Sequence, residues 1–439
     1  MPRLPGAAAW RNQSHKLGDM PATRNEHIPL PALGELERGG PWQAIRWACF
    51  LGCSWTWVIG MCLPIMLVRD LGVWGWVIFA VPNVVGAAAM GTVLKRAAVS
   101  RFLTDRHATA LYAFSAVTVG FQFYVVCWLA PGPWIALLLL PLVGMAIPAA
   151  RRRIAPWLPA IGVAAAVLSW GAFSAANRLD GAWLDVFTDT LPNRLPATDL
   201  WFLAPGFLTG FALCPYLDPT FHRARQATTP GTGRMAFVLG FGVVFASMIV
   251  FTLMYSGVLR PLINGEGTET IAPPWRAILG IHIGLQVFFT VTVHLRELFR
   301  DAERRPVAKP DQPVTSHAAS PPRHLLALLL IAPVAFALLG QPHAATASGL
   351  SAGEWGYRLF ITVYGVFFPG YVLLCMLPTF TPRSDAFRLQ VFWIAAVLGA
   401  PLCVMGLVTG PMAWLLGQYA VLAVAWAVLN LGPWGRAEG

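Results

Sequence analysis

Residues 52–60 read Gly52-Cys53-Ser54-Trp55-Thr56-Trp57-Val58-Ile59-Gly60, and residues 204–210 read Ala204-Pro205-Gly206-Phe207-Leu208-Thr209-Gly210. Each stretch lies inside an apolar run that is long enough to cross a bilayer. Each places glycine, proline or hydroxyl residues where a plain spanning helix would carry leucine or valine. Irregular backbone at membrane depth is tolerated only where it is buried in protein or lines a wet cavity. Two such segments at corresponding positions of two halves are typical of a transporter's binding site.

The composition is that of an integral membrane protein. Only 12% of the 439 residues are charged and 56% are hydrophobic, whereas a soluble domain carries about 25% charged residues. The net charge of +11 could suggest nucleic acid as a partner, but no basic helix interleaved with aromatic residues is present. We therefore expect a lipid bilayer as the partner and no nucleic acid. The seven cysteines form no CxxC pair or Cys/His cluster, which argues against a zinc site or a disulfide framework.

Twelve apolar runs follow a polar, proline-rich tail at residues 1–42, which we expect to be flexible. Most runs are about 18–25 residues long, which suits a hydrocarbon core about 30 Å thick. We number them as predicted spans 1 to 12 and expect an all-α polytopic membrane protein. They lie at about 44–68, 72–94, 108–130, 133–150, 154–176, 200–217, 235–259, 275–295, 324–341, 355–377, 387–408 and 411–432.

The placement of positive charge predicts the orientation of these spans. With the N-terminus inside, 25 of the 31 lysines and arginines fall on inward segments, as the positive-inside rule requires. Both termini are therefore expected on the cytoplasmic side of the cell (inner) membrane. The external segment 178–199 mixes aspartates with apolar residues and predicts a short interfacial helix. The inner segment 300–323 is rich in Arg, Pro and Ser and predicts a flexible cytoplasmic loop.

The first ten spans divide into two groups of five, residues 43–177 and 200–377, and residues 378–439 carry two further helices and the C-terminal tail. Because five is odd, the second group is inverted relative to the first, as in an inverted repeat. This arrangement places spans 1 and 6 side by side and antiparallel at the midplane. Broken helices there would present N-terminal dipoles to anionic groups and free carbonyls to cations.

This five-plus-five-plus-two count resembles the LeuT-fold secondary transporters, the amino acid–polyamine–organocation superfamily, and especially its sodium–solute symporter branch. The matching residues are Ser54–Gly60 in span 1, Pro82-Asn83-Val84-Val85-Gly86-Ala87 early in span 2, and Cys214-Pro215-Tyr216-Leu217-Asp218 closing span 6. The resemblance implies a secondary transporter that works by alternating access. It also implies that the solute binds between broken spans 1 and 6.

The coupling ion is where the chain departs from that pattern. Sodium-coupled members carry neighbouring hydroxyl residues in span 8, whereas here Thr290 and Thr292 are two apart and do not share a helix face. A sodium ion would need carbonyls from around Gly52 and one of these two hydroxyls. Thr290 lies nearer the middle of the span. The alternative is a proton carried by His282, which lies at membrane depth in the same span. No other cofactor and no metal site is predicted.

The expected solute site is lined by hydroxyl, amide, aromatic and glycine residues and contains no acid or base. Such a lining suits a small neutral or zwitterionic solute, bound by dipoles, amides and ring faces. The predicted lining residues are Ser54, Trp55, Thr56, Trp57, Gly60, Gln122, Gly206, Thr209, Gly210, Gln286 and Tyr364.

Five further ionisable residues lie at or near the span ends. Asp218 and Arg223 are candidates for an ion pair that gates the inner side. Arg358 is expected to snorkel outward or to pair with Glu354, four residues earlier on the same helix face. His294 lies one turn from the charged inner end of span 8 and is expected at the interface.

Other classes compare less well with the sequence. A polytopic enzyme would need intramembrane Ser/His, paired carboxylates or a metal cluster. No span holds a carboxylate pair, and the two histidines of span 8 are twelve residues apart on one helix, so no enzymatic activity is predicted. The major-facilitator fold also has twelve spans, but the segment 95–106 lacks the glycines expected there and the longest inner loop follows span 8. That fold and a non-transporting sensor or scaffold with a transporter-like body stay open as alternatives.

Overall fold

The structure, a computed structural model, describes residues 39–129, 158–179, 194–264, 266, 270–304, 349–380 and 382–431. These residues form helices joined by short connections, with no β-strand among them. Eight of the helices are long and apolar enough to cross a membrane, which confirms an all-α, multi-pass membrane protein. The count of twelve spans and the inverted repeat stay predictions. Spans 4 and 9, the tail before residue 39 and most of the segments 178–199 and 300–323 lie outside the described residues.

Twelve helices are described. Predicted spans 3, 5, 7, 8, 10, 11 and 12 correspond to α4, α5, α8, α9, α10, α11 and α12. Helix α3 falls in the segment predicted to connect spans 2 and 3. The bounds are α1 Pro41–Trp55, α2 Val58–Val93, α3 Ala97–Arg106, α4 Ala108–Leu129, α5 Leu158–Leu179, α6 Leu200–Leu213, α7 Pro219–Gln226, α8 Pro230–Ile263, α9 Pro273–Arg304, α10 Ala352–Met376, α11 Asp385–Val404 and α12 Trp414–Leu431.

Span 1 is interrupted inside the stretch 52–60, as predicted. Helix α1 ends at Trp55, Trp57 has extended backbone with φ −121° and ψ −176°, and α2 begins at Val58. The backbone N–H and the hydroxyl of Thr56 both donate to the Gly52 carbonyl, at 3.1 and 2.8 Å. The first of these is the last regular i→i−4 bond of α1, and the same N–H also lies 3.2 Å from the Cys53 carbonyl, as at many helix ends.

A bend at Gly72 divides α2 into the second half of span 1 and the whole of span 2. Gly72 has a φ of +66°, a left-handed conformation that glycine adopts without a Cβ clash. The two spans therefore follow each other without an intervening loop. The end of the bundle near this bend, which includes Asp70, is called the outer end here, following the predicted orientation.

The prediction that span 6 is broken at Pro205–Gly210 is wrong. Helix α6 runs through these residues from Leu200 to Leu213, and the Thr209 hydroxyl donates to the Pro205 carbonyl at 2.8 Å. One proline removes a single helical hydrogen bond, and the flanking glycines do not force a turn. The regular helix ends instead in a 3₁₀ turn at Cys214–Leu217, followed by extended Asp218 and the start of α7.

An aromatic cluster fills the core around the interruption of span 1. The ring of Phe114 in α4 lies 6.5 Å from that of Trp55 and 6.1 Å from that of Trp57, measured between centroids. It also lies 5.9 Å from Tyr364 and 4.9 Å from Phe368, both in α10. Such pairs add about 0.5–1.5 kcal/mol each beyond the burial of their area. The cluster thus joins α1, α2, α4 and α10 at the level of the interruption.

The glycine of the motif at residues 82–87 sets how closely α2 and α6 approach. A Cβ atom at Gly86 would lie 2.3 Å from the carbonyl oxygen of Phe211. Real Cβ atoms do not approach a backbone oxygen this closely, so only glycine fits at this crossing without moving one of the helices. The packing brings α6 against the half of α2 that follows the bend at Gly72.

Candidate functional site

A cavity lies beside the interruption of span 1, between α2, α6, α10, α11 and α12. The empty space there amounts to about 970 Å³, part of which is open to solvent. Trp55, Trp57 and Tyr364 line the end nearest the interruption, and Asp70 and Arg358 line the outer end. The walls between these ends are mostly apolar and include Leu63, Leu67, Leu203, Phe207, Phe211 and Met412. A concave apolar site with a few polar groups is the usual form of a small-molecule site.

The structure brings five of the predicted lining residues to this cavity: Trp55, Trp57, Gly206, Gly210 and Tyr364. The position of Trp55 is fixed by a 2.5 Å hydrogen bond from its indole Nε1 to the Asn83 side chain. Two further hydroxyls hold the segment after the interruption, because Tyr357 donates to the Val58 carbonyl at 2.9 Å and Tyr255 to the Met61 carbonyl at 2.8 Å.

The remaining predicted lining residues do not reach the cavity. The hydroxyls of Ser54 and Thr209 each bond to a carbonyl of their own helix, those of Leu51 and Pro205. The other four lie elsewhere in the bundle: Thr56 beside Met248, Gly60 beside Ile249, and Gln122 and Gln286 fully buried. Helical spacing alone does not show which face of a span lines a cavity.

The outer end of the cavity carries a buried cluster of two arginines and two carboxylates: Arg69, Asp70, Glu354 and Arg358. Arg69 binds both oxygens of Glu354, at 2.9 and 2.6 Å, and donates to Asp70 at 2.8 Å. Arg358 donates to Asp70 at 2.5 Å and to Glu354 at 2.7 Å. The expectation that the site contains no acid or base is therefore wrong. The predicted pairing of Arg358 with Glu354 is confirmed.

This cluster connects the end of span 1 to span 10. It could not be predicted from the sequence. Arg69 and Asp70 look like an ordinary charged span end, and their partner Glu354 lies 285 residues further along the chain. The one signal available was the pair of opposite charges directly after an interrupted span. Bidentate arginine–carboxylate bonds are among the strongest in proteins, so the cluster fixes the two spans to each other at this end.

The residues expected to couple an ion lie away from the cavity. The Gly52 carbonyl accepts the two bonds from Thr56 described above. The hydroxyls of Thr290 and Thr292 are fully buried and have no hydrogen-bond partner within the described part of the chain. Gln286 donates to the Met248 sulfur at 3.7 Å, which is a weak contact. No group of three or more His, Cys, Asp or Glu side chains that could hold a metal ion occurs among the described residues.

Both histidines of α9 are buried and bonded to neighbouring helices. His282 Nδ1 lies 3.0 Å from the Ser169 hydroxyl of α5, and its ring stands edge-on to Phe251. His294 Nδ1 lies 3.0 Å from the Ser115 hydroxyl of α4. Only 1% of His294 is exposed, so it is buried against α4, and its expected depth near the membrane interface stays a prediction.

The predicted gate pair at the inner end does not form in this structure. Arg223 binds both carboxylate oxygens of Glu297 in α9, at 3.0 and 2.8 Å. Asp218 caps α7 instead, and its Oδ1 accepts from the backbone N–H and the hydroxyl of Thr220 at 2.8 and 2.6 Å. An aspartate that begins a helix is a strong N-cap, and this local bond prevails over a pair with Arg223, which lies further along the same helix.

The arrangement combines a cavity, an interrupted helix and two sets of charged residues, one near each end of the bundle. It provides ring faces and opposite charges for binding a small solute, and hinges at residues 56–57 and 214–218 where helices change direction.

In comparisons with known proteins, no family model, no curated protein and no solved structure matches this chain.

Proposed function

We propose that the protein is a secondary transporter that moves a small neutral or zwitterionic solute across the membrane by alternating access. The observation that carries the proposal is the interruption of span 1 at one end of a cavity between the helices. Irregular backbone at membrane depth is tolerated only where it is buried in protein or lines a wet cavity, and this interruption lies next to a cavity.

The cavity lining supports this class of solute. Its apolar walls and the rings of Trp55, Trp57 and Tyr364 suit an apolar or weakly polar body. At the outer end, Asp70 and Arg358 offer opposite charges side by side. A zwitterion can meet both charges, whereas an ion of one sign would be repelled by one of them.

The packing at the inner side of the cavity supports alternating access. The ring of Trp55 lies 5.0 Å from that of Phe221 in α7 and stacks at 6.5 Å on that of Phe114 in α4. These rings separate the cavity from the inner end of the bundle. A solute could pass only if α1 and α7 moved apart, and both helices begin or end at the hinges next to the cavity.

Ligand binding tests the proposal most simply. The purified protein in detergent is heated with a panel of amino acids, betaines, polyols and nucleobases, and its unfolding temperature is followed by tryptophan fluorescence. A solute present at 100 times its Kd stabilises the folded state by about 2.7 kcal/mol. We expect at least one neutral or zwitterionic compound to raise the unfolding temperature of the wild type.

The control is a matched pair of tryptophan substitutions. Gly210→Trp places an indole in the cavity and should abolish the stabilisation. Gly242→Trp adds the same group at an exposed position with open space around it and should leave the stabilisation unchanged. Stabilisation that persists in Gly210→Trp would remove the cavity as the binding site. Binding in the cavity without uptake into vesicles would favour a sensor instead of a transporter.

A further inference from the structure

Asp218 is a buried carboxyl group that is only half satisfied by hydrogen bonds. It lies between the 3₁₀ turn that ends span 6 and the first residue of α7, and 1% of it is exposed. Its Oδ1 accepts the two bonds from Thr220. Its Oδ2 is also buried and has no hydrogen-bond partner among the described residues. An ionised carboxylate in this environment would leave a charged oxygen without water or a donor, which is costly.

The charged groups on its own helix do not offset that cost. Arg223 is bound by Glu297, and Arg225 donates to the Leu94 carbonyl at 2.6 Å and to the Lys95 carbonyl. His222 lies with Nε2 2.9 Å from the Tyr216 carbonyl and Nδ1 2.8 Å from a serine hydroxyl. A neutral imidazole satisfies both contacts, and burial lowers the pKa of His222 to about 4.

Among the described residues of the elements packed around this turn, no cation is paired with Asp218, and Arg296 in α9 lies next to Glu297 and interacts with its charge. Glu297 in α9 adds a second negative charge, and Tyr364 in α10 is not a cation. His294 is bonded to a serine of α4, and His107 lies 3.1 Å from the Tyr371 hydroxyl with its pKa lowered to about 4 by burial. The basic residues of α1, of α3 and the connection before it, and of the start of α8 are exposed: Arg46, Lys95, Arg96, Arg101, Arg106 and Arg234. Burial therefore raises the pKa of Asp218 to about 7, against the lowering effect of the bonds from Thr220 and of the nearby Phe221 backbone N–H.

A route to water begins at the next residue. A second cavity lies at the inner end, and its lining includes Pro219, His222, Arg223, Gln226 and Glu297. Its empty space amounts to about 510 Å³, part of which is open to solvent. Helix α7 has only eight residues and follows the hinge at residues 214–218. A movement of α7 away from α9 would join this inner cavity to the Asp218 carboxyl and hydrate it.

We infer that Asp218 is a proton-binding site that couples proton release to the opening of the inner side. The inference rests on the proposed transport function and makes the proton the coupling ion, in place of sodium at Thr290 or a proton at His282. In the closed arrangement the carboxyl holds a proton on Oδ2. When α7 moves, the O–H bond breaks, the proton passes to water in the inner cavity, and the carboxylate that remains is hydrated.

The sign of the resulting pH dependence follows from linkage. Protonation is favoured in the closed arrangement, so acid stabilises the closed inner side and alkali favours opening. Between the pKa of a hydrated aspartate, near 4, and that of the buried group, near 7, the ratio of open to closed protein rises by up to tenfold per pH unit. Above pH 7 the buried group is ionised in both arrangements, and the ratio levels off.

The test is infrared difference spectroscopy of the full-length protein in lipid vesicles, titrated from pH 5 to pH 9 around the expected midpoint of about 7. The probe is the proton itself, so no solute has to be known. We expect the C=O band of a protonated carboxylic acid to disappear with a midpoint near neutral pH in the wild type. The band should be absent in Asp218→Asn and unchanged in Asp385→Asn, a matched change at a surface carboxylate paired with Arg106.

A second variant keeps the test valid if Asp218→Asn fails to fold. Thr220→Val removes the hydroxyl bond that stabilises the ionised form and retains the carboxyl group, so the midpoint should move to higher pH, and Thr220→Ser should restore it. A wild-type band that is absent, or that survives in Asp218→Asn, overturns the inference whatever the uptake assays show. A midpoint that does not move in Thr220→Val overturns it as well. A titrating band in a protein that moves no solute would instead refute the proposed transport function.

Discussion

Removing one carboxylate from the charge cluster at the outer end should be strongly destabilising. Glu354 is 1% exposed and accepts bonds from Arg69 and Arg358, so Glu354→Gln leaves two buried guanidinium groups facing the single carboxylate of Asp70. Breaking a buried ion pair by deleting one partner costs about 3–5 kcal/mol, because the other charge stays buried without compensation. We expect a loss of that size in the free energy of unfolding.

The assay is unfolding in mixed micelles with increasing denaturing detergent, followed by tryptophan fluorescence. The surface pair Arg106–Asp385 provides the control, because both side chains are largely exposed, at 46% and 70%. Asp385→Asn should cost less than about 1 kcal/mol, as exposed pairs usually do.

A double variant decides whether charge balance is the cause. Glu354→Gln combined with Arg69→Gln returns the cluster to one arginine and one aspartate, so part of the lost stability should be recovered. If the two substitutions together cost as much as the sum of each alone, the loss comes from packing and not from an uncompensated charge. That result would refute the electrostatic account of the cluster.

Three further predictions follow from single contacts. Gly86→Ala should prevent folding or lower the unfolding temperature sharply, because its Cβ would meet the Phe211 carbonyl at 2.3 Å. Gly242→Ala, with open space around it, should be tolerated, and comparable yields of both variants in detergent would contradict the close crossing of α2 and α6. Thr290→Val should leave the free energy of unfolding unchanged or raise it, since it removes a buried hydroxyl without a partner among the described residues. A decrease of more than about 2 kcal/mol in the free energy of unfolding would show that the hydroxyl has a partner. Tyr364→Phe should leave the fold intact, because the ring stays and only the hydroxyl bond to Thr118 in α4 is lost. It should weaken solute binding if the hydroxyl belongs to the site, and unchanged binding in the thermal assay would exclude the hydroxyl from the site.

The parts of the fold that the sequence predicted are those with local causes. Hydropathy identified helical segments because a spanning helix must satisfy its own backbone, whatever its neighbours are. The interruption of span 1 was predictable because a glycine and hydroxyl residues fall in the middle of an apolar run. The pairing of Glu354 with Arg358 was predictable because residues four apart share a helix face.

The parts that the sequence did not predict depend on neighbours that are distant in the chain. Whether Pro205 breaks a helix or is accommodated depends on the packing around α6, and there the helix continues to Leu213. The cluster of Arg69 and Asp70 with span 10 needs two segments that meet only after folding. The absence of Gln122 and Gln286 from the cavity reflects the rotation of each helix about its axis, which hydrophobic periodicity leaves undetermined in a span that is apolar on all sides.

The most direct test of transport is uptake into proteoliposomes. Vesicles containing the wild type, Gly210→Trp or Gly242→Trp are incubated with a mixture of small neutral and zwitterionic solutes under an inward proton gradient, and their contents are identified by mass spectrometry. The account predicts that one solute class accumulates in wild-type and Gly242→Trp vesicles and not in Gly210→Trp vesicles, whose cavity is filled. Equal contents in all three preparations and in empty vesicles would contradict it.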